Sequence, residues 1–207
     1  MAEGRKSVEL AVLSYERLKA QDKDEVKKMI QALFYTFDSG VEKIHLGREE
    51  HIRGTLDLPE DLQPIADKVA STSAYIDSLL RELGTTLCSS MEPPVPAVLD
   101  HPEKPGLSNL YLAISKAKPD TFIMTTHTDD GFLTLTFYDE PFNEVLDRTT
   151  QEWRRIEVNR HMPLINAGDQ LQKNSDNRLY SPIHRCYQDK NEIDLIMFDL
   201  FESPKEE

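Results

Sequence analysis

The chain has few cysteines, no long apolar run and no surplus of basic residues, and each lack removes a class of protein. Two cysteines, Cys88 and Cys186, stand far apart among 207 residues. They supply neither a zinc-binding spacing nor a disulfide framework, so two free thiols in a reducing compartment are expected. No stretch approaches the ~20 apolar residues of a membrane helix. The opening MAEGRKSVEL has no apolar signal-peptide core. The expected location is cytoplasmic, with no membrane partner. Lys and Arg number 24 against 37 Asp and Glu, a net charge of −13. A nucleic-acid binder needs a basic footprint, so no nucleic-acid partner is expected.

What is present is globular in kind. Hydrophobic residues make up 39% and charged residues 29% of the chain, and the length suits one domain with a real core. There are no internal repeats and no low-complexity tracts. The chain falls into three textures, with 1–92 read as a mainly helical support region. There VELAVL (8–13) suits a short strand. DKDEVKKMIQALFYTF (22–37) carries Val26, Met29, Ile30, Leu33, Phe34 and Phe37 at helical spacing, with Asp22 or Asp24 as N-cap. A second helix is expected through LQPIADKVASTSAYIDSLLRELG (62–84), with Ile65, Val69, Tyr75, Leu79, Leu80 and Leu83 as its apolar positions. Gly84 is its expected stop. Residues 93–106 hold five prolines and a glycine, which makes them a connector.

From 107 to 201 the period becomes alternating. Eight short strands are expected near 107–115, 120–127, 131–138, 143–147, 153–158, 162–167, 179–187 and 192–201, separated by turn signals such as Asp129-Asp130-Gly131 and Ala167-Gly168-Asp169. Eight short strands in so little chain suit a double-sheet jelly roll. The fold class is therefore α+β: a double-stranded β-helix (jelly roll) core with an N-terminal helical region.

TTHTDDGFLTLTFYDE (125–140) places His127 and Asp129 two apart, just ahead of an alternating run. On a strand such residues point the same way, while Thr128 faces away. A lone His-x-Asp is common. The candidate third ligand is His184 in LYSPIHRCY. Two imidazoles and one carboxylate on one face leave coordination positions open, as suits non-haem Fe(II) and dioxygen. A structural zinc site would usually close all four positions. The other histidines, His45, His51, His101 and His161, sit in surface-like contexts and are read as solvent-exposed.

The order of these stretches resembles the C-terminal jelly roll of the 2-oxoglutarate/Fe(II)-dependent oxygenases, in the isopenicillin N synthase-like branch. HTDDGFLTLTFYDE, then Glu152-Trp153, then PLINAGDQLQKNSDNRLYSPIHR carry the likeness over roughly 80 residues. The resemblance implies an enzyme, an Fe(II)-dependent dioxygenase, with His127, Asp129 and His184 as iron ligands. Its cofactors would be Fe(II) and 2-oxoglutarate, and its partners dioxygen and a small-molecule substrate. A natural-product tailoring step is the role the resemblance suggests. Asn109 and Tyr111 lie near the family's Asn-x-Tyr, where the tyrosine can bond the cosubstrate carboxylate. The alternative for Tyr111 is a half-buried strand tyrosine.

The pattern breaks at one place. The family sets Arg-x-Ser about ten residues after the second histidine, and that arginine pairs with the distal carboxylate of 2-oxoglutarate. Here the two positions are Asp194 and Ile196, and no arginine follows residue 189. Either the strand register is shifted or the pocket does not bind 2-oxoglutarate in the family manner. Lys190, Arg178 and Arg185 are the substitutes to weigh, although Arg185 should face away from the ligand His184 beside it. Two alternatives follow: a non-oxidative metal enzyme, such as a cyclase or isomerase, or a degenerate non-catalytic homologue. The helical region is also shorter than the family's, which makes a homodimer that completes the pocket an arrangement to test.

Overall fold

In the computed structural model the residues described are 7–8, 41–48, 50, 56, 58, 60–99, 106–115, 120–157, 162–189 and 193–203. The helix expected over 22–37 lies outside them, as do His51, His101, His161 and Lys190. Among the described residues ten strands form two sheets. They are β1 (Ser7–Val8), β2 (Val41–Gly47), β3 (Ser108–Ser115), β4 (Thr121–His127) and β5 (Leu133–Tyr138), followed by β6 (Asn143–Leu146), β7 (Trp153–Ile156), β8 (Leu164–Ala167), β9 (His184–Gln188) and β10 (Ile193–Leu200). One sheet has the order β2-β3-β10-β5-β8 and the other β1-β7-β6-β9-β4. Apart from the β1–β7 pair, all pairings are antiparallel. This is a jelly roll, and each of the eight strands expected after residue 107 is present. Among the described residues no helix is long and apolar enough to cross a membrane.

A 3-10 helix (Glu60–Ile65) leads into the long helix α1 (Ala66–Ser90), which covers the outside of the first sheet. The alternation of side chains decides what each strand gives to either face. Leu133 and Leu135 of β5 turn to the helix, as do Leu110 and Leu112 of β3, Ile44 and Leu46 of β2, and Phe198 and Leu200 of β10. With Val69, Ile76 and Leu80 of α1 they make one buried core. Each fully buried aliphatic side chain there contributes roughly 1.5–3 kcal/mol. The opposite faces of the same strands bring Thr134, Thr136, Tyr111, Leu195 and Met197 to a cavity between the sheets.

Several expectations need correction. α1 passes through Gly84 to Ser90 instead of stopping there. A Cβ at Gly84 would lie 2.7 Å from Leu99 Cδ1 and 3.1 Å from Phe132, so the glycine lets the helix lie close to the sheet. The buried stripe is Val69, Ser73, Ile76, Asp77, Leu80, Arg81, Gly84 and Cys88, and Tyr75 lies on the exposed side. The buried pair in that stripe is fully engaged. Arg81 Nε donates to Asp77 Oδ2 at 2.9 Å, and its Nη groups donate to Asp77 Oδ1 and to the carbonyls of Leu99 and Gly106. Ser108 Oγ donates to Asp77 Oδ1 at 2.6 Å, which ties helix, connector and β3 together. β2 lies within the stretch whose sequence suggests a mainly helical region. A short helix, α2 (Asp169–Asn174), occupies the span between two turn signals.

Candidate metal centre

His127 closes β4 and His184 opens β9, and the two are direct neighbours across that strand pair. Their rings lie 4.2 Å apart, centroid to centroid. Asp129 is not on the strand, as the two-residue spacing suggests, but in the loop that follows it. That loop is held from behind. Asp169 N–H donates to the Asp129 carbonyl at 2.8 Å, Gln170 N–H to the Gly131 carbonyl at 3.1 Å and Gly168 N–H to the Phe132 carbonyl at 3.0 Å. A Cβ at Gly168 would collide with the Gly131 carbonyl, so only glycine permits this approach. Thr128 turns away and donates to Asp169 Oδ2 at 2.9 Å.

The result is three ligand atoms facing one point. Asp129 Oδ1 is 3.7 Å from His127 Nε2 and 3.6 Å from His184 Nε2. These separations are too long for hydrogen bonds. One atom from each of the three residues lies within 4.8 Å of the others, the arrangement expected around an ion. Both imidazoles are oriented by the same device. His127 Nδ1 meets the Thr125 carbonyl at 2.7 Å and His184 Nδ1 the Pro182 carbonyl at 3.0 Å. A carbonyl can only accept, so Nδ1 carries the proton and each Nε2 presents its lone pair. The second oxygen of Asp129 accepts from Asn166 Nδ2 at 2.8 Å, which turns Oδ1 toward the histidines. Burial holds the His184 imidazole below its ordinary pKa, against the opposing pull of Asp129 and the Pro182 carbonyl. A neutral imidazole is the form that binds metal. The donor set thus fits Fe(II). Asn166 is the site residue that sequence reasoning missed; its only signal was its place at the head of the Asn-x-Gly-Asp turn.

The triad stands at one end of a cavity of about 480 Å³. Tyr111 lines this cavity; Asn109 does not, although it hydrogen-bonds Tyr111 from the next inward position of β3. Burial raises the Tyr111 pKa, and the charge of Asp199 raises it further, so the phenol stays protonated. His45 is exposed, as expected, but not solitary: its ring stacks on Tyr111 at 4.8 Å and 11°. Cys186, two residues from His184, also lines the cavity, and its Sγ donates to Asn143 Oδ1 at 3.2 Å. Burial and the charge of Asp129 push its thiol up to about 12.

The register of β10 resolves the position of the missing cation. Leu195 and Met197 face the cavity, and Ile196 packs on the core under the helix. Leu195 and Met197 are thus the residues that this part of β10 gives to the cavity. Ile196, at the expected serine position, thus lies on the core side of the strand and not in the cavity. Arg185 points to the outer face of its sheet, where Nε meets Glu144 Oε2 at 2.8 Å and the guanidinium packs 4.0 Å over the Trp153 ring. Arg178 is exposed and bonds the Ser175 carbonyl at 3.1 Å. Among the described residues no lysine or arginine lines the cavity.

Residues 105–197 match the sequence model of the 2OG-Fe(II) oxygenase superfamily. The matched stretch is less than half of the chain, and the family it names is the one the sequence resembles. The match is made at superfamily level, and the isopenicillin N synthase-like branch is consistent with it. Fe(II) and 2-oxoglutarate are the cofactors of the matched family. Solved structures share the fold. A Neurospora crassa protein solved with alpha-KG and 5-formyluracil superposes with a TM-score of 0.65 at 17% identity, covering 93% of this chain and 69% of that one. The dioxygenase for auxin oxidation in rice gives 0.63 at 19%, covering 90% and 66%. A putative oxygenase from Shewanella oneidensis gives 0.66 at 17%, covering 94% and 82%. The chain thus spans about two thirds of the length of the first two. No curated protein matches it by sequence.

Proposed function

We propose that this chain is a non-haem Fe(II)-dependent oxygenase that oxidises a small organic molecule held between its two sheets. The observation that carries this reading is the convergence of His127 Nε2, His184 Nε2 and Asp129 Oδ1 at one end of a small-molecule-sized cavity. His127, Asp129 and His184 would hold the ion, and a three-ligand set leaves positions open for reactants. Bound there, Fe(II) would supply the site for dioxygen and the electrons that activate it, dioxygen being the oxidant of the substrate. The chain's own part is positional. The Thr125 and Pro182 carbonyls fix the imidazoles, Asn166 fixes the carboxylate, and Gly168 fixes the loop that carries it. The apolar walls exclude water from the reacting centre.

A tailoring step on a small organic molecule is the finer form of this reading. It is supported by the cavity's size and by the small molecules named with the structural neighbours, 5-formyluracil and auxin. Asn109 and Tyr111 stand as candidate cosubstrate contacts, Tyr111 directly and Asn109 through it. The chain would act as a single domain in a reducing, cytoplasmic setting, which suits an Fe(II) centre and two buried free thiols. One observation favours a second reading: no described cation lines the cavity, so the substrate itself would supply all the electrons, without an oxo acid.

The test is oxygen uptake by the pure, Fe(II)-loaded chain in the presence of 2-oxoglutarate and other 2-oxo acids. Uptake that requires Fe(II) and disappears in His127→Ala is expected. Uptake that survives that substitution would refute the assignment of the centre.

A further inference from the structure

The inward rungs of the first sheet grade from polar to apolar with distance from the triad. Nearest Asp129, the rung across β3, β10, β5 and β8 reads Asn109, Asp199, Thr134 and Asn166. The next reads Tyr111, Met197, Thr136 and Leu164. The third brings Ala113 and Leu195 beside Tyr138. Beyond it, Phe142, Cys186 and Ile193 form a buried cluster with Ile123, Tyr138 and Leu195.

A ligand chelating an ion at the triad would send its far end into this apolar region. The polar groups there are neutral and already engaged. Asn143 accepts from the Cys186 thiol and hydrogen-bonds Tyr138, whose pKa is raised by burial. Arginines of the facing sheet are paired elsewhere: Arg154 with Asp147 at 2.8 Å, and Arg185 with Glu144. The full charge acting on Tyr111 is that of Asp199, which is negative. Among the described residues, a second carboxylate there would therefore be buried without a cation to meet it. Such burial is costly, whereas a hydrocarbon tail gains from the same surroundings.

We propose that the cosubstrate position of this cavity takes a monocarboxylic 2-oxo acid with a hydrocarbon tail, and that Leu195 and Met197 select it over a dicarboxylate such as 2-oxoglutarate. The inference rests on the iron-centre reading above and concerns binding alone. In this respect the lining of the cavity does not fit the family's cosubstrate.

The experiment is calorimetric. The intact chain is first titrated with Mn(II), an oxygen-insensitive stand-in for Fe(II). The Mn(II)-loaded chain is then titrated separately with ketoisocaproate and with 2-oxoglutarate, which share one chelating head. Ketoisocaproate is expected to bind roughly tenfold or more tightly than 2-oxoglutarate, because only the latter buries a second charge. Leu195→Arg is expected to reverse the order by supplying a cation; if that variant does not fold, the wild-type comparison decides alone. Equal or tighter binding of 2-oxoglutarate overturns the inference, as does binding of neither acid, while Mn(II) binding still upholds the centre. Failure to bind Mn(II) overturns the iron-centre reading and the inference with it.

Discussion

At the scale of single residues, the centre depends on groups that do not themselves face the ion. Asn166 donates to the outer oxygen of Asp129 at 2.8 Å and so decides which oxygen faces the histidines. Replacing it frees the carboxylate to rotate without removing any ligand. Asn166→Ala is expected to weaken metal affinity by roughly 10–100-fold. Because Asn166 is only part-buried, the melting temperature of the metal-free protein should change little. Metal titration alongside thermal melting checks both halves of this expectation. His127, Asp129 and His184 were legible because metal chemistry restricts which residue types can serve. Asn166 was not, since an amide before a glycine turn reads as turn chemistry alone. The face to which Leu195 and Met197 turn was likewise beyond the sequence, since a shift of one residue in register exchanges the two faces of a strand.

At the scale of elements, the position of α1 on the sheet is fixed by polar as well as apolar contacts. Burial would raise the Asp77 pKa, but the hydrogen bonds from Arg81 and Ser108 outweigh it, and the carboxyl is held below its ordinary range. A lowered carboxylate pKa stabilises the fold above the unfolded value, and that stabilisation is lost as pH falls through the folded value. Acid unfolding should therefore draw on Asp77 only below the usual aspartate range. Asp77→Ala leaves the buried Arg81 charge with backbone carbonyls but no carboxylate, at an expected cost of about 3–5 kcal/mol in chemical denaturation at neutral pH. The same variant should lose the corresponding part of the acid transition. The strands after residue 107 were legible because side chains alternate along them, as Leu133, Thr134, Leu135 and Thr136 do between helix and cavity. β2 was not, because only Ile44-His45-Leu46 shows the alternation. The true end of α1 was hidden by Gly84, whose role is close approach to Leu99 and Phe132, which only the packed fold reveals.

At the scale of the whole molecule, the two sheets and α1 divide the labour. The helix-facing side of the first sheet is a conventional apolar core, which frees its other side to line a cavity of about 480 Å³. The second sheet supplies both histidines on adjacent strands, and the loop after β4, held by the Gly168 turn, brings Asp129 to meet them. A metal centre at this junction couples the two sheets, so binding an ion should also stabilise the fold, by about 2.7 kcal/mol at a hundredfold excess over Kd. The central claim is that these three side chains hold one ion. Its most direct test is the metal stoichiometry of the chain under anaerobic Fe(II), with Asp129→Ala beside it. One Fe(II) per wild-type chain and none retained by the folded variant is the predicted result. No stoichiometric binding by the wild type, or equal binding by both, would contradict it.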